Sequence, residues 1–378
     1  MSVLNAFLRT CKGHAQHGAQ HWCVGNEAGD LDSVACALAY AYLETFVRPS
    51  GPRWMPALAM HRADLALRLE NEVALRRCGI DVNDMCCLED IPPLGPDAEV
   101  VLVDHNHARG AFARAKVVGI LDHHADEGQH TDAATRIVCS PEHAGSCASV
   151  LTMYFAPQLP AAPPIPRPLA DLLLSAISID TVNFSPSAGK AQAVDFLARD
   201  WLLPHSSFAK EVTAYFTQLR AAKKDVGRLT TPEHLRRDYK QFSSEAAGGG
   251  TWEIGASSIL ESLADFSARD GSRDAFVKQL HEFATARQLD VLVVVAGYRE
   301  NDKSRRALLW YVPQITAANK QLADAFASCN AGGVDLEPMQ LDVAASECLA
   351  WLQRDPHVTR KQFVPALREV CASVPKPG

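Results

Sequence analysis

No apolar run in this sequence approaches the roughly 20 residues a membrane helix needs; 291–297, among the longest, falls far short. Residues 1–16 lack the apolar core and small-residue cleavage site of a secretory signal. The 11 cysteines include no C-x-x-C pair and lie singly, apart from the adjacent Cys86 and Cys87. An odd and irregular set of thiols fits a reducing compartment better than a disulfide framework. Positive charge is not in excess: 37 Lys and Arg stand against 44 Asp and Glu, giving −7. Broad electrostatic binding of nucleic acid therefore has no support, and a polyanionic ligand must find locally clustered cations. Internal repeats are absent too. These absences leave a cytoplasmic-type protein with no membrane partner. What is present is an ordinary globular composition, 47% hydrophobic and 21% charged, over 378 residues. That length is too great for one core and points to two domains, at most three.

The first half alternates strand-like and helix-like patterns. Residues 21–24 read as a strand, followed by a Gly/Asn/Asp turn and a helix over 33–46 with Asp32 or Ser33 as its cap. Residues 98–103 and 117–121 are compact apolar strands ending at Asp104 and Asp122, with a crossover helix expected in 106–116. Helices are expected over 145–155 and 169–179, around the proline-rich loop 156–168. Such an order predicts an α/β fold whose amino-terminal domain is a doubly wound, mostly parallel sheet. In an open parallel sheet the side chains at the carboxyl ends of strands converge in one crevice.

A polar stretch, 218–228, precedes Thr231-Pro232-Glu233, which reads as a helix cap with proline in the first turn. The domains are accordingly placed at 1–219 and 229–378, with 220–228 as linker. The second is expected to be a smaller α/β domain: strands over 252–259, 291–295 and 307–312, a helix over 273–287, and a hairpin loop at 248–250.

Four segments carry the chemistry: Gly25-Asn26-Glu27-Ala28-Gly29-Asp30-Leu31-Asp32-Ser33, Val103-Asp104-His105-Asn106, Leu121-Asp122-His123-His124, and Ile179-Asp180. Singly each is weak, since a lone D-x-D is more often a solvated turn and a His-His pair a surface feature. Jointly, each after an apolar element, they are not. Close carboxylates repel unless a cation lies between them. With a histidine added, the ligand set is oxygen and nitrogen, which suits Mg²⁺ or Mn²⁺, and without thiolates it argues against structural zinc. A bridging carboxylate holds two such metals about 3.5–4 Å apart and makes a water nucleophilic.

The four segments resemble the motifs of the DHH phosphoesterase superfamily, whose Asp-His-His signature stands here as Asp122-His123-His124. The resembling branch has a DHHA2 second domain and includes family II inorganic pyrophosphatases, yeast-type cytosolic exopolyphosphatases and prune-like proteins. It covers nearly the whole chain, from about residue 21 to 367. The resemblance implies an active site in the cleft between the domains. It implies one metal on Asp32, Asp104, His123 and Asp180, and a second on Asp30 and Asp104. Where pyrophosphatases open the first motif with histidine, this chain has Asn26, at best a hard-metal oxygen ligand. That Gly-Asn-Glu-x-x-Asp-Leu-Asp-Ser version resembles exopolyphosphatases and prune-like proteins, and the intact Asp122-His123-His124 argues against animal prune proteins.

His124, implied not to be a ligand, would touch the scissile phosphate or protonate the departing oxygen. Lys240, Arg360 and Lys361 resemble the family's phosphate-binding cations, with Thr359 standing where the last element has serine. Gly145 and Ser146 resemble a glycine-rich helix start whose backbone N–H groups would face phosphate. The implied activity is metal-dependent exopolyphosphatase, a hydrolase releasing orthophosphate from the ends of inorganic polyphosphate, with two divalent cations, Mg²⁺ or Mn²⁺. Pyrophosphatase, prune-type phosphodiesterase and an inactive phosphate-binding homologue are the other readings. Monomer is favoured, and a polyphosphate-storing organelle is the alternative address to the cytoplasm.

Overall fold

In the computed structural model, which describes residues 3–159, 165–208, 212–341 and 347–376, the apolar runs of the first half pair as one parallel sheet. Its strands are β1 His21–Val24, β2 Met55–Ala57, β3 Glu99–Val103, β4 Lys116–Asp122 and β5 Thr135–Val138, in the order β2-β1-β3-β4-β5. Around them lie α1 Val3–Gln16, α2 Leu31–Val47, α3 Leu69–Arg77, α4 Cys147–Phe155, α5 Arg167–Asp180, α6 Ala193–Leu202 and α7 Val212–Lys224. The chain divides into two compact units, Met1–Asp225 and Val226–Gly378. Residues 220–224, within the stretch read as linker, continue α7.

Both faces of the sheet are covered, and the period-2 geometry of strands shows in the core. Cys23, Val101, Val103 and Leu121 join a cluster with α2, α4 and α5. Trp22, Val24, Val100, Leu102 and Ile120 join another with Cys11 and Ala15 of α1. Helix α2 is buried on all sides from Leu31 to Glu44, and its alanines and cysteine allow close approach to α4 and α5.

Two expectations fail here. In place of a helix, residues 106–116 hold a 3₁₀ turn, Gly110–Phe112, and the first residue of β4, because Gly110 takes a left-handed φ of 54° and Asn106 spends its side chain on tertiary hydrogen bonds. The cap of α2 is Asp30, two residues upstream of Asp32, and its side chain accepts from the Ser33 N–H. Asp32 is thereby released for another task.

The second unit has a six-stranded mixed sheet in the order β10-β11-β9-β8-β7-β6, parallel only between β7 and β8. The strands are β6 Tyr239–Glu245, β7 Thr251–Ile259, β8 Val291–Glu300, β9 Lys303–Tyr311, β10 Leu336–Pro338 and β11 Cys348–Gln353. Their helices are α8 Thr231–Arg237, α9 Leu263–Ala268, α10 Arg273–Ala286, α11 Ala317–Ala327 and α12 Arg360–Ser373. The unbroken apolar run of β8 serves both faces: Val291, Val293 and Val295 pack with Phe326 and Phe363, while Leu292 and Val294 pack with Phe266 and Phe276. Gly248, Gly249 and Gly250 all have positive φ and close the β6–β7 hairpin. Thr230, not Thr231, caps α8, in a reciprocal box with Glu233. Among the described residues no helix is long and apolar enough to cross a membrane.

Candidate metal centre

In the order β2-β1-β3-β4-β5, the chain leaves β1 toward opposite sides, so the crevice opens beyond the carboxyl ends of β1 and β3. Three of the four motifs leave the sheet there. The turn after β1 runs straight into α2, and Gly25 makes that possible: a Cβ on it would lie 2.6 Å from the Ser33 Cβ and 2.9 Å from the Ser33 carbonyl oxygen. Ser33 in turn donates its hydroxyl to Asp104 Oδ2 at 2.7 Å. Gly25→Ala is therefore expected to push Ser33 away from Asp104 and to weaken divalent-metal binding roughly 10-fold or more, read by titration calorimetry.

Asp104 follows β3 with φ at 62°, a left-handed conformation that Asp tolerates better than most side chains. Its Oδ2 accepts from Ser33 and from Asn26 Nδ2 at 2.7 Å. Its Oδ1 faces His123 Nε2 at 3.3 Å and His124 Nδ1 at 3.6 Å. Asp32 is anchored on the start of α4, where Oδ1 accepts from Ser146 Oγ at 2.9 Å and the Ala148 N–H at 2.8 Å. Its Oδ2 accepts from the Cys147 N–H at 2.7 Å. A carboxylate at a helix amino terminus is favoured both by these orphan donors and by the helix dipole.

This corrects the expectation for Gly145 and Ser146. The helix start already serves a carboxylate of the same chain: the N–H groups of Cys147 and Ala148 serve Asp32, and the Gly145 N–H serves Asp195 Oδ2 at 2.9 Å. Asn26 is corrected as well. Its Oδ1 accepts from the Ala28 N–H at 2.9 Å while its Nδ2 holds Asp104, so the amide orientation is determined by its neighbours. Both ends of the amide are engaged, and it positions the Asp104 carboxylate.

His123 faces both carboxylates. Its Nδ1 lies 3.2 Å from the Ala144 carbonyl, a contact that requires a proton on Nδ1. Its Nε2 lies 3.3 Å from Asp104 Oδ1 and 3.8 Å from Asp32 Oδ2. Three metal-competent atoms converge with all three side chains buried, an arrangement that a shared proton or a metal ion stabilises. Asp104, His123 and His124 form the one tight group of metal-competent side chains among the described residues.

The carboxyls register the same crowding. Burial, then repulsion from Asp104, pushes Asp32 up to about 7. Burial, then Asp30, raises Asp104; burial, then Asp32, raises Asp180, against the lowering pull of Lys223. Asp180, the last residue of α5, thus feels Asp30, Asp32 and His123 from a separate helix. Asp122 goes the other way. Its burial alone raises the carboxyl, but hydrogen bonds from His124 and Asn106 hold it well below the usual range.

In the second unit Arg360 begins α12. Its Nη2 donates to Asp238 Oδ1 at 2.7 Å and its Nη1 to the Asp238 carbonyl at 2.6 Å, with the Ala256 carbonyl at 3.3 Å. Lys240 stands on β6 in register with Ala256, so it and Arg360 flank one residue of β7. Lys361 follows in α12, and its side chain lies outside the described set. Sequence reasoning missed Ser33, Asn106 and the Cys147 and Ala148 N–H groups, whose partners are distant in the chain.

Comparison with known proteins matches this arrangement at both ends. The signature described as "DHH family, N-terminal domain" matches residues 21–177, and that described as "DHHA2 domain" matches 217–370. The chain is a DHH–DHHA2 protein. Human Exopolyphosphatase PRUNE1 is 27% identical over 384 residues, covering 97% of this chain and 79% of its own. The Manganese-dependent inorganic pyrophosphatase of Methanothrix thermoacetophila is 24% identical over 280 residues, 72% of this chain and 80% of its own. A crystal structure from Methanococcus jannaschii, classed with the family II inorganic pyrophosphatases, aligns at TM-score 0.62 and 22% identity, over 93% of this chain and 99% of its own. That last likeness establishes the shared fold. The metal-centre residues described above all fall in or just after the DHH domain, and Lys240 and Arg360 fall in the DHHA2 domain.

Proposed function

We propose that this DHH–DHHA2 protein is a metal-dependent exopolyphosphatase that releases orthophosphate from the ends of inorganic polyphosphate. The observation that carries the reading is the convergence of His123 Nε2, Asp104 Oδ1 and Asp32 Oδ2 in one buried crevice. The names of the exopolyphosphatase and pyrophosphatase relatives support phosphoanhydrides as the substrate class.

Asp32, Asp104, His123 and Asp180 are proposed to hold one divalent ion, and Asp30 with Asp104 a second. Asp104 Oδ2 already accepts two hydrogen bonds, which leaves Oδ1 as the oxygen that would face a cation. The single imidazole among carboxylates admits Mn²⁺ as well as Mg²⁺. When bound, the ions supply charge that lowers the pKa of an attacking water and neutralises the phosphoryl oxygens.

The chain's own part is positional and protonic. Asp122 fixes the His124 ring through Nδ1 at 2.8 Å, which makes Nε2 the nitrogen that passes a proton. As the water oxygen bonds to the terminal phosphorus and its proton passes to solvent, the P–O bond to the bridging oxygen breaks. The departing chain takes up the His124 proton. Arg360, Lys361 and Lys240 are proposed to hold the polyanion, with Arg360 exchanging Asp238 for a phosphate. Asn26 favours this reading over a pyrophosphatase, because it replaces a metal-binding imidazole with an amide that holds Asp104.

The test is orthophosphate release from pyrophosphate, tripolyphosphate and long polyphosphate, side by side, with Mg²⁺ and with Mn²⁺. Turnover of the longer chains supports the assignment; turnover of pyrophosphate alone overturns it in favour of a pyrophosphatase, and no release from any of them overturns hydrolysis. Arg360→Ala is expected to raise KM for long polyphosphate by roughly 10-fold or more, as loss of a charge-assisted fork implies. An unchanged KM in Arg360→Ala and Lys361→Ala removes the second domain from substrate binding.

A further inference from the structure

Asn106 is buried, yet it touches none of the groups proposed to hold metal or substrate. Its Nδ2 donates to Asp122 Oδ2 at 2.5 Å and to the Ala125 carbonyl at 3.0 Å, and its Oδ1 accepts from the Glu127 N–H at 2.9 Å. Both amide protons and the amide oxygen are thus committed, and the side chain has one possible orientation. Asp122 is equally committed: Oδ2 to Asn106, Oδ1 to the His123 N–H and to His124 Nδ1, each at 2.8 Å.

A carboxylate gripped at one oxygen is unable to rotate, and the other oxygen then sets the plane and tilt of the ring it holds. We propose that Asn106 is a positioning residue for the reaction: acting through Asp122, it fixes the His124 imidazole so that Nε2 aims at the departing oxygen. The inference rests on the proposed role of His124 as proton donor and extends it by one side chain. Its grip on Ala125 and Glu127 ties the loop that carries His124 away from β4 to the same amide. The relay therefore spans the carboxyl ends of two adjacent strands, β3 and β4, and backbone drift of either end is resisted by the other.

A purely structural role predicts something different from a positioning role, and three readouts separate them. Asn106→Ala and the same-sized Asn106→Asp, which keeps an acceptor for the Glu127 N–H but presents no donor to Asp122, are assayed beside Asp122→Asn and the double variants. The expected result is kcat on long polyphosphate lowered roughly 10- to 100-fold by each single substitution. KM and calorimetric Mn²⁺ affinity should stay within about 2-fold, and neither Asn106 change should slow the Asp122→Asn enzyme further. A kcat within about 3-fold of the parent in either folded Asn106 variant overturns the inference. So does a loss that tracks Mn²⁺ affinity, or one that multiplies with Asp122→Asn. If the unsubstituted protein releases no orthophosphate at all, it is the hydrolase reading that fails, which these ratios do not confuse with failure of the relay.

Discussion

Asp104→Asn is expected to abolish orthophosphate release and, at the same time, to make the metal-free protein more stable at pH 8. Both effects come from one atom. In the parent, Oδ1 of Asp104 lies 3.3 Å from His123 Nε2, and burial with Asp30 nearby raises the carboxyl above its ordinary value. An asparagine keeps the shape. Its Oδ1, turned to the Ser33 and Asn26 side, accepts the same two hydrogen bonds. Its Nδ2 then occupies the position 3.3 Å from His123 Nε2, and a neutral amide replaces the carboxyl that burial and Asp30 disfavour as an anion. Asparagine is also well suited to the left-handed φ of 62° that this position requires.

Removing a buried charge without leaving an orphan is worth about 1–3 kcal/mol, or several degrees in Tm for a unit of this size. The lost anion was the shared ligand of the proposed ion pair, so kcat/KM should fall by roughly 10³-fold or more. The two measurements are a thermal melt in chelator and a phosphate-release assay in Mn²⁺. A variant that melts lower than the parent in chelator means that Asp104 is held by protein donors alone and is not strained by the lack of a cation. A variant that keeps its activity means that the reaction does not pass through this site.

Such trade-offs mark where local sequence reading stops. The ends of β1, β3 and β4 were legible because each motif follows an apolar run, and a carboxyl-end crevice follows from parallel pairing. The same holds for the hairpin at 248–250 and the two-faced strand β8. Asp32 was legible as a ligand, but its anchor was not: Cys147 and Ala148 are more than 110 residues away, and nothing local shows that a helix start points at a carboxylate. Asn26 was read by its chemical type, as an oxygen ligand, whereas its real partners are the main chain two residues on and Asp104 across the crevice. Arg360 was read as a cation for phosphate without sight of Asp238, 122 residues upstream. Residues 106–116 looked helical because they are rich in alanine and arginine, a local preference that Asn106 and Gly110 override through tertiary hydrogen bonds and left-handed backbone.

Metal-free protein is expected to lose stability as pH rises from 5 to 8, and saturating Mn²⁺ is expected to remove that loss. In the folded state Asp32 titrates at about 7, against an ordinary 3.8, with burial the first cause. Asp104 and Asp180 are displaced in the same direction. Between about pH 4 and 7 the folded chain therefore retains protons that the unfolded chain has released. Stability changes with pH in proportion to protons bound unfolded minus protons bound folded, which is negative here, so it falls through this window. Asp122, held low, has the opposite sign, but its contribution is lost only as pH falls below the unfolded carboxylate range and does not offset the change above pH 5. For Asp32 alone the displacement corresponds to at most about 4 kcal/mol. Divalent ions replace those protons. The Mn²⁺-induced rise in Tm should accordingly be larger at pH 8 than at pH 5.5, and calorimetry at pH 6.5 in buffers of different ionisation heat should show protons released on binding. A metal-free Tm that climbs from pH 5 to 8 contradicts the raised carboxyls; Mn²⁺ binding with no proton release at pH 6.5 places the ions somewhere other than among Asp32, Asp104 and Asp180.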